Sequence, residues 1–142
     1  MMSGIRGKNT RPEMIVRRIL HARGFRYRLH DARIPGKPDI VLRKHRAVIF
    51  VNGCFWHGHE CHLFKWPTTR ESFWRDKIGA NVARDAENRA QLANGWRCCI
   101  VWECAIKGRA KLTGERLGAA MEAWLLSGGE WTEIEGDDDA VD

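Results

Sequence analysis

Nine residues, Cys54-Phe55-Trp56-His57-Gly58-His59-Glu60-Cys61-His62, hold two cysteines, three histidines and two large aromatics. Thiolate and imidazole are good ligands for a transition-metal cation, and imidazole near neutrality can also take a proton from water. Cys54, His59 and Cys61 are separated by four residues and by one, so one loop can wrap several sides of an ion. Cys104 can supply a fourth ligand from far along the chain. A set of three cysteines and one histidine suits a closed tetrahedral structural zinc, with no water ligand and hence no catalytic role. The same residues fit a plainer arrangement, with Cys54 and Cys104 as core thiols and the histidines on the surface. Cys98 and Cys99 stand among apolar neighbours and read as core.

Other groups offer chemistry of a different kind. Asp39, directly after Pro38, can hold Mg²⁺ through one or two oxygens, although Pro-Asp is also a common turn dipeptide. His57 can serve as a base on water, as a further metal ligand, or as an exposed side chain. Phe55 and Trp56, with Trp74 following, can stack on bases or wedge into a duplex. They can equally build a small apolar core beneath the metal loop.

These residues need a frame. Thr10, Pro12 and Glu13 mark a helix start of the capping-box type, Ile15, Val16, Ile19 and Leu20 give it an apolar face, and Gly24 can end it. Residues 25–29 alternate as a half-buried strand does. A loop with the turn signal Pro35-Gly36 leads to a second strand, Ile40-Val41-Leu42, and a third runs from Ala47 to Asn52, straight into the cluster. A long helix is expected over 73–94, capped at Ser72, with Ile78, Val82, Ala86 and Leu92 on one face. A buried strand follows over 96–103, and a final helix over 113–126 ends at Gly128-Gly129. The order αβββαβα predicts an α/β fold: a mixed central sheet flanked by helices, with catalytic groups gathered at strand ends.

The chain of 142 residues is the size of one domain. The expected layout is a flexible basic arm over 1–9, a single domain over 10–129, and an acidic, disordered tail over 130–142. No apolar run is long enough to cross a membrane and no secretory h-region is present, which predicts a cytoplasmic protein with reduced thiols and no membrane partner. The net charge is +6, with the basic excess in residues 1–46 and only acidic charges from Ser127 onward. The basic part is a candidate surface for nucleic acid or simply a solvated face.

Taken together, Gly36-Lys37-Pro38-Asp39, the run Val48 to Cys61 with its Gly-Cys-Phe-Trp-His core, Phe64-Lys65, Phe73-Trp74, Lys77-Ile78-Gly79, Asn81-Val82 and Ile100 to Cys104 resemble the very short patch repair DNA mismatch endonucleases. The resemblance spans roughly residues 5 to 126. It implies a restriction-endonuclease-like αβββαβ core with a structural zinc loop, and Mg²⁺-dependent nicking beside the thymine of a T·G mismatch left by deamination of 5-methylcytosine. By the same resemblance, Asp39 and the Val51 carbonyl hold Mg²⁺, and His57 is the base, supported by Glu13. Cys54, His59, Cys61 and Cys104 hold Zn²⁺. Phe55, Trp56 and Trp74 insert beside the mismatch, and Lys77 and Asn81 contact bases. The implied partner is mismatched double-stranded DNA, bound by a monomer in the bacterial nucleoid and joined by mismatch-repair proteins. Asn52 departs from the pattern, standing where some family members carry a second active-site histidine; it can bond a water but cannot titrate. The basic arm is shorter than the family leads one to expect, which implies either a weaker grip on DNA or a truncated N-terminus. Two other readings remain open: a nuclease of this fold with another target, and a zinc-stabilised DNA-binding module without catalysis.

Overall fold

The computed structural model describes residues 9–137, so most of the expected arm, and residues 138–142 of the expected tail, lie outside it. The elements are α1 (Arg11–Ala22), β1 (Arg28–Leu29), β2 (Ile40–Leu42), β3 (Ala47–Asn52), α2 (Glu71–Leu92), β4 (Arg97–Trp102), α3 (Gly114–Ser127) and β5 (Trp131–Ile134). The strands form one mixed sheet in the order β1-β2-β3-β4-β5. The first two pairings are antiparallel; β3–β4 and β4–β5 are parallel, as strands joined through a crossover helix must be.

Strand alternation sorts the side chains into two cores. Ile40, Leu42, Ala47, Ile49, Cys99 and Val101 face α1 and α3, meeting Val16, Leu20, Leu117, Met121, Trp124 and Leu125. Val41, Val48, Cys98, Ile100 and Trp102 face the other way, toward Cys54, Leu92 and Ile34. Both strand faces are apolar because both are covered, which is why β3 and β4 read as continuous apolar runs. Among the described residues, no helix is long and apolar enough to cross a membrane.

The helix ends follow local chemistry. The Thr10 hydroxyl accepts from the Glu13 N–H, and Gly24 takes the left-handed turn that leaves α1. Glu13 does not reach back to the cap residue; its carboxylate accepts from the Asn9 N–H instead. Helix α2 starts at Glu71 behind a left-handed Arg70 with no side-chain cap, so Ser72 lies inside it. Its expected inward face is only partly used: Ile78 and Leu92 are buried, whereas Val82 is exposed. The first strand is two residues long, not five, because Arg28 and Leu29 alone pair with β2.

The expected disordered tail is corrected at its beginning. Residues 131–134 form β5, with Cys98↔Trp131 and Val101↔Ile134 in register. The acidic composition concealed an alternating Trp-Thr-Glu-Ile segment whose Ile134 is buried, and Arg89 lies 3.5 Å over the Trp131 ring.

Candidate active site and metal centre

Strands β2 and β3 deliver the acidic group. Asp39 precedes Ile40 and accepts a hydrogen bond from the Val51 N–H through Oδ2 at 2.7 Å. Its carboxylate thereby continues the β2–β3 pairing by one side chain and is fixed beside the Val51 backbone. Burial is the main reason the carboxyl is raised to about 7; the Val51 N–H and His57 oppose the shift, and Glu13 adds to it. Glu13, fully buried on α1, bonds His30 Nε2 at 2.7 Å. Glu13, His30 and Asp39 bring ligand atoms within 4.8 Å of one another, two hard carboxylates and one imidazole that could hold a divalent cation. His30 carries no signal in the sequence, because it opens the loop after β1, and only the fold sets it against Glu13.

His57 lies across the same space. Its Nδ1 bonds Asp85 Oδ2 of α2 at 2.6 Å, and the Trp102 ring packs edge-on against it. A carboxylate on Nδ1 fixes the tautomer with the proton there and leaves the Nε2 lone pair available. Asp85 was also missed by sequence reading, because one aspartate on a charged helix carries no signal of its own. Asp39, Asn52, His57, Lys77 and Asp85 all line one cleft of about 1320 Å³ between α2 and the sheet.

Gly58 explains how neighbouring histidines part company. Its φ of +65° suits glycine, and a Cβ there would stand 3.1 Å from Val82 Cγ2 and 3.2 Å from Ile78 Cγ2. The chain turns sharply against α2 at that point. His57 goes to α2, whereas His59 goes to β4, where its ring stacks on Trp102 with centroids 4.2 Å apart.

Cys54, His59, Cys61 and Cys104 gather with ligand atoms within 4.8 Å of one another, the four residues picked from spacing. The three cysteines are free thiols, and burial pushes those of Cys54 and Cys104 up. Backbone N–H groups nevertheless point at the sulfurs: Cys104 N–H at Cys54, Leu63 N–H at Cys61, and Gly136 N–H at Cys104. Three sulfurs and an imidazole nitrogen converging with amide donors on the sulfurs is the donor chemistry of a zinc site, and the residues fit that ion.

The aromatics converge too. Phe55 contacts Trp56, Phe64 and Trp74 with centroids 5.3, 5.9 and 5.4 Å apart, and Trp56 meets Trp74 at 5.7 Å. Asn81 takes a part not expected from sequence. Its Nδ2 donates to the Trp56 carbonyl and its Oδ1 accepts from Arg84, so both ends of the amide are engaged within the protein. Lys77 is exposed one turn earlier on the same helix.

The family described as "DNA mismatch endonuclease Vsr" matches residues 1–63. The DNA mismatch endonuclease Vsr of Escherichia coli (strain K12) is 45% identical over 135 residues, covering 94% of this chain and 86% of that relative. A type II nicking enzyme of Xanthomonas oryzae pv. oryzae, V.XorIIP, is 50% identical over 75% of this chain and 79% of its own length. Another, V.NmeAIP of Neisseria meningitidis, is 45% identical over 82% of this chain and 84% of its own length. With that identity extending over nearly its whole length, the chain belongs to the Vsr family of DNA mismatch endonucleases.

Proposed function

We propose that this protein is a DNA mismatch endonuclease that nicks one strand beside the thymine of a T·G mismatch, using Mg²⁺ for the chemistry and Zn²⁺ for the scaffold of a restriction-endonuclease-like core. One observation carries the reading: Asp39 and the Asp85-held His57 meet in a single cleft, next to a loop that presents clustered aromatics. A non-catalytic DNA-binding module has no use for a buried carboxylate facing an oriented imidazole.

Asp39 and the Val51 carbonyl would hold the divalent cation, with Glu13 and His30 behind them. Bound there, Mg²⁺ supplies stabilisation of negative charge on the phosphate and the leaving oxygen. His57 Nε2 takes a proton from the attacking water while the water oxygen bonds to phosphorus and the phosphorus–oxygen bond to the leaving sugar breaks, the sugar oxygen gaining its proton from solvent water. Asp85 keeps the imidazole in the accepting tautomer and stabilises its charged form. Asn52 orients water by hydrogen bonding without exchanging a proton. Cys54, His59, Cys61 and Cys104 would hold zinc and so anchor the loop that carries His57.

Phe55, Trp56 and Trp74 insert at the mismatch, where unstacking costs least. Asn81 fixes the Trp56 backbone and so aims the wedge, and Lys77 meets the phosphates or bases alongside. The protein acts as a monomer in the bacterial cytoplasm on nucleoid DNA, where mismatch-repair proteins are natural partners.

The test is a nicking assay on duplexes carrying T·G and on the matched duplex, each with Mg²⁺ and with chelator. The proposal expects one nick, in the thymine strand of the T·G duplex, only with metal. Nicking of the matched duplex would instead indicate a site-specific nicking enzyme, and binding without cleavage would indicate a module without catalysis.

A further inference from the structure

The end of β5 and the residues that follow it touch the candidate zinc centre and its packing at three points. Glu133 Oε1 accepts from Trp102 Nε1 at 2.7 Å, and Trp102 is the ring stacked on His59. Glu135 Oε1 lies 2.9 Å from His59 Nε2, while His59 Nδ1 faces Cys104 Sγ on the opposite side at 3.8 Å. The Gly136 N–H donates to Cys104 Sγ at 3.3 Å. Gly136 is also the residue type this approach demands: a Cβ there would collide with the Cys104 carbonyl oxygen and stand 2.7 Å from that of Ala110. The Asp137 N–H then bonds the Ala110 carbonyl at 2.8 Å and carries the segment past the site.

We propose that Glu135 and Gly136 are the outer clasp of the metal centre, so that metal retention and docking of the segment after β5 are one coupled event. This rests on the zinc reading given above. His59 can coordinate through Nδ1 only if its remaining proton sits on Nε2, and Glu135 accepts that proton, fixing both tautomer and ring direction. As an ordinary ion pair, a carboxylate as exposed as Glu135 would be worth little. Its value lies in holding a ligand. Gly136 completes the clasp by supplying an amide donor to a metal-bound sulfur.

The experiment uses the full chain loaded with one equivalent of zinc and follows zinc transfer to a chromogenic chelator. Glu135→Ala is expected to weaken zinc binding about 10- to 100-fold. Glu135→Gln, whose amide oxygen can still accept from Nε2–H, lies closer to the parent protein. Glu130→Gln removes the same charge four residues before β5 ends and changes nothing. Hydrogen exchange adds a readout independent of the variants: the Ile134 and Gly136 amides exchange faster once zinc is stripped from the parent protein.

Equal zinc retention in Glu135→Ala and the parent overturns the clasp, as does an equal loss in Glu130→Gln. Exchange at Ile134 and Gly136 that ignores zinc overturns the coupling even where Glu135→Ala does not fold. A parent protein that binds no zinc at all defeats the zinc reading itself, a result distinguishable from failure of the clasp alone.

Discussion

The two faces of the sheet are built from the same two central strands and do opposite things. On one, α1 and α3 lie flat and close a dry core of Val16, Leu20, Leu117, Met121, Trp124 and Leu125. On the other, α2 is longer yet buries only Ile78 and Leu92, and a cleft of about 1320 Å³ lies beneath it. The apolar faces of α1 and α3 fill the space over the sheet. The α2 helix, with only two buried apolar residues, does not, and it offers side chains such as Asp85 to the gap. The closed face therefore holds the fold and lends Glu13 of α1 to the site, and the open face holds the rest of the chemistry. Even one residue serves both: the Val51 side chain packs against the closed core while its backbone N–H holds Asp39 at the site.

Substitutions can break this division. On the open face, His57→Ala is expected to lower nicking by about 10²- to 10⁴-fold while zinc content, mismatch binding and melting temperature stay unchanged. Loss of zinc in that variant would show that His57 and His59 do not separate as described. On the closed face, Leu20→Ala leaves a cavity and should cost about 2–5 kcal/mol in denaturant unfolding, with the nicking rate per folded molecule intact.

The pH dependence of cation use sharpens the comparison further. Asp39 is held near 7 in the metal-free protein, chiefly by burial. The carboxylate must be ionised to bind a cation, so each pH unit below about 7 is expected to raise the half-saturating Mg²⁺ concentration up to about tenfold. Titrations of single-turnover nicking with Mg²⁺ at several pH values check it; a flat profile would remove Asp39 as the titrating ligand. The smallest effect belongs to a half-exposed residue of α2. Val82→Ser should change stability by no more than about 0.5 kcal/mol, read from the urea midpoint, because Val82 is 45% exposed.

By itself the sequence determined the local items. Thr10, Gly24, Thr113 and Gly128 act as the helix ends they resemble, because capping and left-handed turns depend on a few neighbouring atoms. The four candidate zinc ligands were legible because three of them share one short loop and the fourth closes a strongly apolar strand. Asp39 was legible as the residue that opens β2, and its bond to Val51 follows from the antiparallel pairing of β2 and β3. Only the tertiary structure decided the partners. His30 and Glu13 are 17 residues apart, and His57 and Asp85 are 28 apart, and each pair forms because sheet and helix happen to bring them together. The tail was misread for the same reason: acidic composition argues for solvent, and only the open edge of β4 turns Trp131 to Ile134 into a strand and carries Glu135 to His59. Local chemistry is set by neighbours in sequence; which charges share a cleft is set by the packing that brings distant segments together.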